Sequence, residues 1–162
     1  MLVQCKGLGT NFIKKNMNTV NNDNNSSVVT TELEAWFGIL YSCVSVDRQI
    51  TANETKILTR IIHSKQKFIG VDLEPLFLKS SELIKQLGQS TFISACCVHI
   101  EEEDKNMIFA LALEVLLADG ILEQKEKDFI EIVSNSLEIA PKMSSKIIEV
   151  IFLKNKGNVK GI

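Results

Sequence analysis

The sequence predicts an all-α fold of about seven helices, and three observations lead there. Apolar residues recur at helical spacing from Thr30 almost to the C-terminal end. The 162 residues contain only two prolines, and no run alternates apolar and polar residues between turn signals as a half-buried strand would. The third observation is an internal duplication. Asp47-Arg-Gln-Ile50-Thr-Ala-Asn-Glu54 and Asp119-Gly-Ile-Leu122-Glu-Gln-Lys-Glu126 each hold an Asp, an aliphatic residue three positions on and a Glu seven positions on, at an offset of 72 residues. Each motif follows a near-continuous apolar run, Ala35 to Val46 and Met107 to Ala118, and precedes an amphipathic stretch.

The elements follow in order. Residues 1–29 read as an Asn-rich tail, because Asn disfavours helix interiors and strands and the segment offers few apolar side chains to bury. Thr31-x-x-Glu34 has the form of a capping box, in which hydroxyl and carboxylate satisfy orphan amides reciprocally, and opens a helix running to about Val46. Thr51-x-x-Glu54 repeats that signature before Ile57, Leu58, Ile61 and Ile62, which share one helical face. Leu73 to Leu78 predicts a short helical turn, and Ser80/Ser81 a fresh N-terminus for a helix that stops at Gly88. Thr91 to Ile100 is apolar at helical length, and Asp104 is the expected cap of the next helix, ending near Ala118. Phe129, Ile130 and Val133 give a face to a helix from about Glu123 to Leu137. Pro141 suits a first helical turn, with Ile147, Ile148, Ile151 and Phe152 as its core face.

The duplication extends beyond the motif. Phe37 matches Phe109, Val44 matches Leu116, Ile57 matches Phe129 and Ile61 matches Val133 at the same offset. The expectation is one domain over residues 30–156, with repeats about 31–88 and 104–155 related by a pseudo-twofold axis. The two most apolar helices would pair at its centre.

Composition narrows the function classes. A hydrophobic fraction of 45% and a charged fraction of 23% suit a single core of this size. The net charge of −2 argues against a nucleic-acid partner. Cys43, Cys96 and Cys97 sit in apolar stretches, and no pair of cysteines has zinc spacing, so reduced thiols and a cytoplasmic location are expected. No secretory signal is expected, since Lys6, Lys14 and Lys15 have no unbroken apolar core beside them. The run from Met107 to Ala118 is short of the roughly 18 apolar residues of a membrane span, so no transmembrane segment is expected. No nucleophile–base set, Walker loop or dinucleotide glycine pattern occurs, which points away from an enzyme. Glu114, a charge inside an apolar helix, calls for a partner or for exposure. The run Glu101 to Asp104 reads first as a solvated loop ending in a cap, with a cation or basic partner as the other reading.

The acidic turns are the candidate site: Asp119 and Glu126 in the second copy, Asp47 and Glu54 in the first. The second copy resembles the latter half of an EF-hand loop, where such an Asp and Glu ligate calcium. The positions that should supply earlier oxygens hold Val115 and Leu117, and in the first copy Cys43 and Ser45, so an EF-hand is excluded. A site built on one or two carboxylates, of the kind magnesium accepts with its waters, stays open. So does a structural reading, with each Asp capping and each Glu favouring the helix dipole. Thr51 accounts for Glu54 as a cap partner; Glu126 lacks such an account, because the matching position holds Glu123.

Two Asp-x-x-aliphatic-x-x-x-Glu turns after apolar helices, the second reading Ala118-Asp-Gly-Ile-Leu-Glu-Gln-Lys-Glu126 before Phe129-Ile-Glu-Ile-Val133, resemble the tellurite-resistance TerB family from about Thr30 to Phe152. The resemblance implies a compact helical bundle with clustered acidic residues that bind divalent cations, calcium or magnesium. It also implies a non-enzymatic, cytoplasmic and at times membrane-associated part in stress response, with a protein partner. Carried over by position, the metal residues are Asp47, Glu54, Asp119 and Glu126. The chain departs from the pattern at Arg48, where Gly is expected. Arg48 disfavours a left-handed turn and can neutralise Asp47, which weakens the expectation for the first copy.

Overall fold

A computed structural model of the chain describes residues 29–46, 52–117 and 122–155. Seven α-helices and one 3-10 turn make up these residues, and no strand occurs among them. They are α1 (Glu32–Val44), α2 (Ala52–Ser64), the turn Gln66–Phe68, α3 (Glu74–Leu87), α4 (Gln89–Cys97), α5 (Lys105–Leu116), α6 (Gln124–Ser136) and α7 (Pro141–Lys154). The expected tail lies outside the described residues except for Val29, which is buried in the core.

The two most apolar helices meet at the centre. Every residue of α1 from Ala35 to Val44 is buried, and α5 buries Ile108, Phe109, Leu111 to Leu113, Val115 and Leu116. Helices apolar on all sides need cover on all sides. α1 receives it from α3, α4 and α5, and α5 from α1, α2, α6 and α7. Within each predicted half the contacts correspond: α1 packs on α2 and α3, as α5 packs on α6 and α7.

Where α4 crosses α1, Gly38 lets the backbones come close. A Cβ at Gly38 would lie 2.8 Å from both Cys96 Sγ and Phe92 Cζ. Phe92 and Cys96 are themselves buried.

Several expectations change in detail. Residues 74–87 form one helix rather than a turn followed by a second helix. The Asp72 carboxylate accepts from the Glu74 N–H at 3.1 Å, Pro75 fits the first turn, and Ser80 is buried in mid-helix, so packing overrides its capping tendency. Gly88, at φ 77° and ψ 158°, ends the helix. Thr31 caps α1 by accepting from the Glu34 N–H at 3.1 Å. The Glu34 carboxylate does not return to Thr31; it accepts from the N–H and hydroxyl of Thr30 at 2.8 and 2.9 Å and pairs with Lys79 at 2.7 Å. Burial alone would raise its pKa, but the Lys79 and Thr30 bonds outweigh burial and hold it below the usual value.

Asp104 occupies the position before α5 but does not cap it. Its backbone is already helical at φ −91°, and its carboxylate lies 3.7 Å from Lys67 Nζ. Lys67 also bonds Glu32 and stands 4.4 Å above the Trp36 ring, so one lysine joins the 3-10 turn to the starts of α1 and α5. On α7, Ile151 is buried and Ile147 and Ile148 pack on the core, whereas Phe152 is exposed. α1 and α5 end at Val44 and Leu116, two residues earlier than expected.

Candidate functional site

Two of the four acidic candidates fall within the described residues. Asp47 and Asp119 lie outside them, as does Thr51. Glu54 stands in the first turn of α2 and is nearly buried, at 9% exposure. Glu126 is the third residue of α6 and is partly buried.

Local sequence accounts for Glu126. Glu123 precedes α6 with an extended backbone, φ −72° and ψ 165°, so its side chain can fold forward. It accepts from the Glu126 N–H, while Glu126 Oε2 accepts from the Glu123 N–H at 2.6 Å. The capping box thus forms with Glu in the place usually held by Ser or Thr. The expectation that Glu123 would make a poor cap is corrected: a longer side chain reaches the same amide.

The charges of both glutamates bear on one buried thiol. Cys43, in the last turn of α1, is wholly buried, and its Sγ–H donates to the Ile39 carbonyl at 3.3 Å. Burial first, and then the charges of Glu54 and Glu126, push its thiol up from the ordinary value. Among the described residues no three His, Cys, Asp or Glu side chains converge as a metal ligand set. The two carboxylates would therefore draw further oxygens from Asp47, Asp119, backbone or water.

Other polar groups have structural partners. Glu114, 18% exposed, pairs with Lys154 of α7, so its charge ties two helices together instead of lining a cleft. Of the run Glu101 to Asp104, the first three residues are exposed. Glu102 pairs with Lys105 at 2.7 Å, and Lys105 reaches Glu138 at 3.2 Å. These hydrogen bonds, Glu102 first, push the Lys105 pKa up. Beside them lies an open hollow of about 210 Å³, walled by Leu137, Ile139, Ala140 and Met143 and holding no nucleophile. The thiols of Cys96 and Cys97 are raised chiefly by burial, Cys97 to about 12, which makes them inert rather than nucleophilic. Sequence reasoning did not single out Cys43, whose buried thiol is raised in part by the charges of both glutamates. Its one signal was position, four residues before Asp47 at the end of the first apolar run. No helix among the described residues is long and apolar enough to cross a membrane.

Comparison with known proteins adds one finding. The chain matches the family model described as tellurite resistance protein TerB over residues 33–148, from the first turn of α1 into α7. No curated protein and no solved structure matches it.

Proposed function

From the chain's membership of the TerB family, tellurite resistance proteins, we propose that it acts as a non-enzymatic stress-response module whose acidic turns bind a divalent cation, calcium or magnesium. The site would take Glu54 and Glu126 together with Asp47 and Asp119, and the bound form would present a surface to a protein partner in the cytoplasm. The observation that carries this reading is that Glu54 and Glu126 take equivalent places, one in the first turn of α2 and one in the first turn of α6, with Glu54 nearly buried. A divalent cation such as magnesium needs only one or two carboxylates and keeps its waters. The corresponding contacts of α1 with α2 and α3, and of α5 with α6 and α7, support a pseudo-twofold relation that would bring the two motifs to one place.

A second reading has an observation of its own. The Glu123–Glu126 box explains Glu126 without any metal, so the acidic turns would only cap helices and the working surface would lie elsewhere.

Calorimetric titration of Ca²⁺ and Mg²⁺ into chelator-treated protein separates the two. Glu126→Gln keeps a side chain that can close the box and removes the charge. On the metal reading the wild type binds, and both Glu126→Gln and Asp119→Asn lose binding while remaining folded. Silence in the wild type would refute that reading and leave the caps.

A further inference from the structure

Nine large hydrophobic residues are exposed among the described residues, and four of them, Met143, Val150, Phe152 and Leu153, lie on α7. The helix turns Ile151 to the core, with Ile147 and Ile148 beside it, so Lys142, Lys146, Glu149, Val150 and Leu153 face outward. Val150 and Leu153 are 60% and 62% exposed, and three residues apart they form one ridge. Lys142, Lys146 and Glu149 make no ion pair with any described residue, whereas Lys154 is held by Glu114.

We propose that this outward face of α7 pairs antiparallel with the α7 of a second copy of the chain. The order of charges along the face supports that occupant. Lys146 and Glu149 stand at equal distances on either side of the point between Ile147 and Ile148. An antiparallel pair centred there sets Glu149 of each copy at the level of Lys146 of the other, twice by symmetry. The same arrangement lays the aliphatic stem of Lys142 along Leu153. A uniformly anionic partner would instead leave Glu149 against like charge. One helix face is smaller than a standard interface, so the association is weak, in the micromolar range or above.

The test is sedimentation equilibrium of the full chain from micromolar to millimolar concentration, with circular dichroism as a check on folding. The expected result is a reversible monomer–dimer equilibrium. Leu153→Glu and Lys146→Glu, both at solvent-facing positions, should each weaken it about tenfold or more. The exchange Lys146→Glu with Glu149→Lys should restore it, which a merely hydrophobic contact would not do. A wild type monomeric throughout overturns the proposal, as does a dimer indifferent to Leu153→Glu. So does a double exchange no tighter than Lys146→Glu alone. A monomer whose melting temperature falls in Leu153→Glu also overturns it, because another part of the same chain would then cover the face.

Discussion

Single atoms decide two positions. At Gly38 the helix would ordinarily gain about 1 kcal/mol from Ala. Here the new methyl would sit 2.8 Å from Phe92 Cζ and Cys96 Sγ, both on buried side chains that would have to shift. Gly38→Ala should therefore destabilise the protein by about 1–3 kcal/mol, read as a lower denaturation midpoint with an unchanged slope. Gly88 has open space around it but a backbone at φ 77° and ψ 158°, a region left almost wholly to glycine. Gly88→Ala should also cost about 1–3 kcal/mol, through strain and not through contact. The buried thiols set a pH dependence. Folded Cys97 is raised to about 12, and Cys43 and Cys96 are raised as well, while unfolded thiols titrate near about 8.5. A pKa raised by folding gives stability that is complete below the unfolded value and lost as pH rises toward the folded one. Unfolding free energy measured at about pH 8 and about pH 10 should thus fall between the two, and Cys97→Ala should shallow the fall.

At the scale of the element, periodicity was a sound guide and local signals were less so. The apolar spacing that placed α1, α5 and α6 agrees with the structure to within two residues at each end, and α2 and α7 start where it put them, because burial of a face dominates helix position. Capping signals were weaker, since a Ser or Asp can serve packing or an ion pair instead of an amide. Ser80 is buried within α3 and Asp104 faces Lys67, although both had the chemistry of a cap. Glu123 shows the converse: a residue with poor statistics caps α6 because its backbone is extended and its partner is Glu126. The site was legible as a spacing of acids, but not as a place: Glu126 closes a capping box with Glu123, and Asp47 and Asp119 lie outside the described residues. Two outcomes test this level. Thr31→Ala removes the acceptor for the Glu34 N–H and should cost about 1 kcal/mol in chemical denaturation. Lys154→Met strands the Glu114 carboxylate, so it should destabilise more than the double change Glu114→Met with Lys154→Met, measured in the same way.

For the whole molecule, the central helix pair joins the two halves of the chain, α1 meeting α5. α1, whose Cys43 thiol is raised in part by the charges of Glu54 and Glu126, contacts α3, α4 and α5 through its buried length. A cation binding only the folded chain would add stability by mass action, about 2.7 kcal/mol at a hundredfold excess over Kd. The melting temperature of the wild type should then rise with Ca²⁺ or Mg²⁺, and that of Glu126→Gln should not. The contact at Gly38 has a different reach. Because positions 38, 92 and 96 fill one space, a change at any of them is tolerable only alongside a change at another. Descent should therefore leave a joint record: in related chains with a larger residue at the position of Gly38, those matching Phe92 or Cys96 should have shrunk in step.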